Sequence, residues 1–200
     1  MYKTLGIALA LTLAASPALA ADAKIGAAAP AFTLTDTVGV THSLADFAGK
    51  TVVLEWTNHD CPFVKKHYNG DNMQRQQADA TADGVVWLVV NSSAEGKQGH
   101  VSPAQADQIQ ADWKAQQTAY LFDTDGTVGQ AYGAKTTPHM YIIDPEGVLR
   151  YNGAIDSIPS ANVADIEKAE QYVEIALAEL ADGKDVSRPL TQPYGCSVKY

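Results

Sequence analysis

Cys61 and Cys196 are the only two cysteines of the sequence, and Cys61 stands where a reactive thiol is expected. Pro62 follows it, and proline is favoured at the first position of a helix because its missing N–H would have no partner there. Cys61 is therefore predicted to cap the helix, with its sulfur accepting hydrogen bonds from the Phe63 or Val64 N–H at the positive helix end. These effects favour the thiolate, which is the nucleophilic form. The alternative is a buried, inert cysteine that packs as a small apolar side chain.

Strands and helices alternate along the chain and place Cys61 directly after a strand. Residues 51–56 are β-branched and nearly all apolar, as expected of a strand covered on both faces. In the helix that follows, Lys65 and Lys66 are predicted to face solvent, with Lys65 adding positive charge near the thiol. The other predicted strands are 32–35, 85–90, 119–122, 140–143 and 148–151, and the predicted helices are 62–82, 102–117 and 163–181. This alternation favours an α/β domain of three layers.

Composition and charge exclude two classes of partner. Of 200 residues, 46% are hydrophobic and 18% are charged, which is typical of a globular chain. Lysine and arginine number 14 against 23 aspartates and glutamates, so the net charge is −9. An acidic chain of this kind argues against nucleic acid or an anionic membrane surface as the partner.

Residues 1–20 have the pattern of a secretory signal peptide. Lys3 precedes an apolar run, and the segment ends in the small-residue site Ala18-Leu19-Ala20. Cleavage near Ala20 would release a periplasmic or secreted protein that is no longer attached to the membrane. An uncleaved anchor is the alternative, although the apolar run is shorter than the ~20 residues of a membrane span. We expect a signal at 1–20, one domain over 21–186 and a tail over 187–200 that carries Cys196.

Beyond Cys61, the sequence resembles the redoxins, which include the peroxiredoxins (alkyl hydroperoxide reductase and thiol-specific antioxidant proteins) and periplasmic thioredoxin-like proteins. The resemblance covers most of residues 26–180 and is carried by the segments 26–34, 42–50, 121–126, 136–139 and 142–147. It implies a thioredoxin-like three-layer α/β fold with a central mixed β-sheet flanked by helices. It also implies that Thr137-Pro138 forms a cis-proline loop facing the active cysteine.

The sequence departs from both redoxin patterns at the active site. Val64 stands where thioredoxins have their second cysteine. Peroxiredoxins place a threonine three residues before their peroxidatic cysteine, and Cys61 occupies that threonine position here. The position of their activating arginine falls near Pro138. The chain is thus similar to a peroxiredoxin-like subgroup that keeps only the first thioredoxin cysteine, and the family's activity does not follow from its fold.

A second thiol must then come from elsewhere in the chain, and Cys196 is the candidate. C-terminal resolving cysteines occur in the related two-cysteine peroxiredoxins. We expect a mobile tail that brings Cys196 to Cys61 and closes a reversible disulfide. The alternatives are a static bridge that pins the tail, or no bridge.

The resemblance suggests roles for several further residues. Glu55 precedes Cys61 by six residues, the interval at which thioredoxins carry a buried acid, and could accept the proton of the attacked thiol. An ordinary carboxylate at a strand end is the alternative. A groove for the substrate is expected to be shaped by Thr137, Pro138, Pro62, Phe63 and His139.

Three functions are compatible with these residues. The first is an exported thiol–disulfide oxidoreductase that acts on protein or small-molecule disulfides and thiols and depends on an unidentified electron donor. The second is an antioxidant thiol peroxidase in which peroxide oxidises Cys61 and Cys196 resolves it. The third is a non-catalytic protein that docks a partner or carries copper through Cys61 and a cluster of His59, His67 and His139. No Cys-x-x-x-Cys spacing supports a metal site, so we expect no metal and no other cofactor.

Overall fold

The computed structural model describes residues 23–200, which form one seven-stranded sheet with helices on both faces. The strands of this sheet are β1 (Thr33–Asp36), β2 (Thr41–Ser43), β3 (Val52–Trp56), β4 (Val86–Asn91), β5 (Ala119–Phe122), β7 (His139–Ile143) and β8 (Leu149–Gly153). A separate two-stranded sheet pairs β6 (Thr136–Thr137) with β9 (Cys196–Ser197). The helices are α1 (Pro62–Asn69), α2 (Asn72–Ala82), α3 (Pro103–Trp113), α4 (Thr127–Tyr132) and α5 (Tyr172–Ala181).

The large sheet is mixed, in the order β2-β1-β5-β4-β3-β7-β8. Strands β3, β4 and β5 are parallel, whereas β7 runs antiparallel to β3 and β1 runs antiparallel to β5. Every residue of β3 is buried, as the apolar run predicts. Because β3 lies between β4 and β7, both backbone edges of the strand that leads to Cys61 are hydrogen-bonded.

Two apolar cores cover the two faces of the sheet, which gives the predicted three layers. Alternate residues of β3 point to opposite sides, so Val53 belongs to one core while Leu54 belongs to the other. Helices α1, α2, α3 and α5 pack on the first face and α4 packs on the second. The predicted α/β fold with a central mixed sheet is confirmed.

Two predicted helices are interrupted, and one short helix was not predicted. The helix expected over 62–82 divides into α1 and α2 at Gly70 and Asp71, where Asp71 adopts a left-handed φ of 53°. The helix expected over 163–181 divides into a 3-10 helix, Val163–Lys168, and α5. The α4 helix has only six residues with a glycine at each end, so it gives no helical periodicity in the sequence.

The C-terminal tail packs along the domain. Its backbone bonds to β8 through Asn152 and then to the loop around β6 through Lys135. The terminal Tyr200 donates its hydroxyl to the Ala134 carbonyl at 2.8 Å. Cys196 is therefore held between two bonded segments of the tail.

No helix within residues 23–200 is long and apolar enough to cross a membrane. The predicted signal peptide over 1–20, including its cleavage site near Ala20, lies outside the described residues.

Candidate active site

Cys61 lies at the N-cap of α1 with Pro62 at the first helical position, as the sequence predicts. Its side chain is completely buried. In its thiol form, Cys61 Sγ donates to the Thr137 carbonyl oxygen at 3.1 Å. The hydrogen-bond pattern differs from the prediction, because no helix N–H makes a full capping bond to the sulfur. The donor is instead the backbone N–H of Cys196, 3.4 Å from Cys61 Sγ.

Strand β9 brings Cys196 to Cys61. It pairs antiparallel with β6, in a register that places Cys196 opposite Thr137. Both cysteines are free thiols in the structure, and Cys196 is partly exposed while Cys61 is buried. Two residues 135 positions apart in the sequence thus meet beside the cis peptide bond between Thr137 and Pro138.

The two cysteines differ in how they hold a proton. Burial alone would raise the pKa of Cys61. Hydrogen bonds from the thiol and the N–H of Cys196 outweigh this effect and bring the pKa below its ordinary value, and the Val64 N–H and Thr137 contribute less. Burial, together with the hydrogen bond to Cys61 and its negative charge, raises the pKa of Cys196 to about 11. The pair therefore favours a Cys61 thiolate beside a protonated Cys196. No effect of Lys65 contributes to this, and its Nζ lies 3.8 Å from Asp60.

The residues expected to form a substrate groove occupy different environments. Pro62 is exposed and Phe63 is half-buried, while Thr137 and Pro138 are buried. His139 is only 2% exposed. Its Nε2 bonds to Asn152 Oδ1 at 2.8 Å, and its Nδ1 is near the Tyr141 hydroxyl and the Lys135 N–H. His139 is therefore enclosed in the protein and does not line an open groove.

The three histidines considered as copper ligands do not form a metal site with Cys61. Within residues 23–200, no group of three or more His, Cys, Asp or Glu side chains is arranged to hold a metal ion. His67 Nδ1 accepts from Asn72, His139 bonds to Asn152, and His59 faces Asp60. The predicted clustering of these histidines around Cys61 is not observed.

Glu55 is a fully buried carboxyl group on β3. Tyr68 donates to Oε1 at 2.9 Å, and Trp87 and Gln77 donate to Oε2 at 2.9 and 3.1 Å. Burial raises its pKa to about 7, against the opposing effect of these three bonds. None of these partners is a cysteine, so a proton passing between Glu55 and the thiols would need an intervening group.

A buried charged cluster beside the cysteines was missed by the sequence analysis. Lys66, which was predicted to face solvent, is buried and pairs with the buried Asp156 at 2.9 Å. His67 and the tail residue Tyr194 complete this cluster. The helical pattern around Lys66 does not indicate a partner 90 residues away. The one available signal is Tyr194, a tyrosine two positions before Cys196.

A large cavity lies far from the cysteines. It has a volume of about 760 Å³ and is lined by residues such as Thr51, Asp144 and Glu146. These residues flank the end of β3 at which Val52 pairs with Ile143, whereas Cys61 follows the opposite end. The two cysteines therefore do not open into this cavity.

Comparison with known proteins finds a matching sequence family and solved structures with a similar fold. The sequence model of the AhpC/TSA family matches residues 25–152. An uncharacterised conserved protein from Geobacillus kaustophilus is 27% identical, with a TM-score of 0.77 over 88% of this chain and 92% of that chain. A protein from Sinorhizobium meliloti described as hypothetical is 23% identical, with a TM-score of 0.75 over 88% and 94% of the two chains.

A third solved structure carries a functional assignment. This protein from Chlorobium tepidum, assigned as a thiol:disulfide interchange protein, DsbE, is 25% identical. The TM-score is 0.54 over 66% of this chain and 85% of that chain. No match was found among curated protein sequences.

Proposed function

Because the chain belongs to the AhpC/TSA family, we propose that it is an exported thiol–disulfide oxidoreductase whose reactive pair is Cys61 and Cys196. The observation that carries this proposal is the contact between the two residues, with the Cys196 N–H 3.4 Å from Cys61 Sγ. Both thiols are free, and the pKa of Cys61 is lowered while that of Cys196 is raised. These observations support Cys61 as the attacking thiol and Cys196 as the resolving thiol.

The proposed reaction has two exchange steps. The Cys61 thiolate attacks one sulfur of a substrate disulfide, a new S–S bond forms, and the other substrate sulfur leaves as a thiolate. Cys196 then loses its proton and attacks Cys61, which closes the Cys61–Cys196 disulfide and releases the second substrate thiolate. The substrate gains two electrons and the protein loses two, and a dithiol reductant outside the chain restores them. Glu55, whose pKa is raised to about 7 by burial, is the proposed proton acceptor.

Access to the site requires the tail to move or the substrate to be small, because Cys61 is completely buried. With the tail displaced, Thr137 and Pro138 would form one wall of a substrate groove, and Pro62 and Phe63 the other. A protein disulfide would reach Cys61 only with the tail displaced, whereas a small disulfide would need a smaller displacement of the tail.

Titration of the mature protein in glutathione buffers, with the thiols mapped by mass spectrometry, tests the proposal. We expect one Cys61–Cys196 linkage that opens and closes at roughly −120 to −270 mV, the range of known exchange proteins. Cys61→Ser should abolish the linkage, and Cys196→Ser should leave a stable glutathione adduct on Cys61. A linkage that stays closed below about −300 mV would show a structural bridge and contradict the proposal.

A thiol peroxidase is the second candidate, and the complete burial of Cys61 favours it because hydrogen peroxide is small. The thiolate would attack one peroxide oxygen, giving a sulfenic acid and releasing water. Cys196 would then displace a second water molecule and form the same disulfide. Rapid consumption of peroxide that is lost in Cys61→Ser would establish this activity, and consumption no faster than in that variant would exclude it.

Export is proposed from the signal-like sequence of residues 1–20. The N-terminal sequence of the protein recovered from a periplasmic extract tests it. We expect the chain to begin at Ala21. An intact Met1 on that protein would contradict cleavage.

A further inference from the structure

A cluster of buried polar side chains connects the tail to the active-site helix. Lys66 Nζ donates to Asp156 Oδ2 at 2.9 Å, to the Ile158 carbonyl at 3.2 Å and to the Tyr194 hydroxyl at 3.4 Å. Asp156 Oδ1 accepts from the Ile158 N–H and from the Tyr194 hydroxyl. The Lys66–Asp156 pair therefore has its full set of partners only when Tyr194 is in place.

The hydrogen bonds of His67 complete the cluster. Its Nδ1 accepts from Asn72 Nδ2 at 2.9 Å, so the proton of the neutral ring is on Nε2 and can be donated to the Tyr194 hydroxyl, 3.3 Å away. Burial lowers the pKa of His67 to about 4, which keeps the ring neutral near pH 7. The Tyr194 oxygen thus accepts from Lys66 and His67 and donates to Asp156.

Tyr194 lies close to Cys196 in the tail. Only Gly195 separates the two residues, and the Tyr194 ring packs edge-on against Phe63 with centroids 5.8 Å apart. Phe63 belongs to the first turn of α1, next to the Cys61 N-cap. A tail bound at Tyr194 therefore places β9 directly over Cys61.

We propose that Tyr194 is the positioning residue for Cys196: bound to the buried Lys66–Asp156 pair, it holds the tail over Cys61. This rests on the proposed function for its chemistry. In the closed position Cys61 is shielded, and Cys196 is within reach of a mixed disulfide formed on Cys61. When a substrate enters, the tail leaves and the buried charges lose a partner, so the tail is drawn back for the resolving step.

Tyr194→Phe tests the proposal, because the ring and its contact with Phe63 remain while the hydroxyl is lost. Hydrogen bonds to charged groups are strong enough that closure should weaken by roughly tenfold to a hundredfold. In reduced protein carrying Cys196→Ser, Cys61 should react with iodoacetamide faster by the same factor, since only the open form is attacked. After oxidised glutathione is added to the protein with both cysteines, the Cys61–glutathione adduct should live correspondingly longer.

Tyr132→Phe is the matched control, since it removes a tyrosine hydroxyl that donates to the Pro30 carbonyl, on the face of the sheet opposite α1. It should leave both measurements unchanged. Unchanged alkylation and unchanged adduct lifetime in folded Tyr194→Phe would overturn the proposal. The alkylation rate needs no disulfide chemistry, so it tests Tyr194 even if the wild-type protein forms no Cys61–Cys196 linkage and the proposed function fails.

Discussion

At the scale of single residues, the burial of Glu55 makes the stability of the protein depend on pH. Its pKa rises from 4.5 to about 7 on folding. The folded state then holds the proton more tightly than the unfolded state. Protonated Glu55 therefore stabilises the folded state. This gain in the free energy of unfolding is fully present below pH 4.5 and is lost as the pH rises through about 7.

Glu55→Gln should remove this dependence, since the amide does not titrate and its oxygen can still accept from Trp87 and Gln77. Between about pH 4.5 and about pH 8, we expect the free energy of unfolding of the wild type to fall by about 3 kcal/mol more than that of the variant. Urea unfolding at both pH values measures the difference. Parallel changes in the two proteins would contradict the raised pKa.

The same residues show how far sequence reasoning reaches at this scale. The helix-capping position of Cys61 follows from the proline beside it, because capping is a local property of the chain. For Glu55, the resemblance to thioredoxins suggests a buried acid and the position near a strand end leaves an ordinary carboxylate open, and the structure buries it. The burial of Lys66 could not be predicted, since it depends on Asp156, which only the folded chain brings close.

At the scale of elements, the pairing of β9 with β6 depends on a close approach at Gly195. This residue has φ of 133°, and a Cβ built on it would overlap the Thr137 carbonyl oxygen. Gly195→Ala should therefore push β9 off β6 and separate Cys196 from Cys61. We expect the Cys61–glutathione adduct to close to the disulfide roughly 5-fold to 150-fold more slowly, since such backbone strain costs of order 1–3 kcal/mol.

Gly39→Ala is the control for this prediction. Gly39 also has a positive φ, 83°, but a Cβ there would meet nothing within 4 Å. It should lower stability slightly and leave the closure rate unchanged. Equal closure rates in Gly195→Ala and the wild type would show that the close approach does not position Cys196.

Strands were predicted more accurately than helices. Runs such as β3 and β5 are nearly all apolar and are bounded by polar residues, so their limits are visible in the sequence. The division between α1 and α2 depends on Asp71 adopting a left-handed φ, which a polar helical pattern does not reveal. The two-residue strand β9 has no periodicity and exists only because β6 is beside it.

At the scale of the whole molecule, a Cys61–Cys196 disulfide would close a loop that includes most of the domain, since the two residues are 135 positions apart. A passive bridge over this separation stabilises by roughly 4–5 kcal/mol in the chain-entropy model. In an exchange protein, the stabilised Cys61 thiolate of the reduced form offsets part of that gain.

We therefore expect oxidation to raise the free energy of unfolding by much less than the passive value. Urea unfolding of the oxidised and reduced forms measures the gain, with Cys196→Ser as the control that cannot form the bridge. If oxidation raised the free energy of unfolding by the full passive value of roughly 4–5 kcal/mol, the bridge would be structural.

The position of Cys196 in the tail also has a genetic consequence. Helix α1 carries Val64 in the buried core, and the second thiol lies instead in the tail that follows α5. A premature stop codon between the codons for α5 and Cys196 would remove that thiol without altering any residue of the seven-stranded sheet. One nonsense mutation would thus leave a protein with Cys61 as its single thiol.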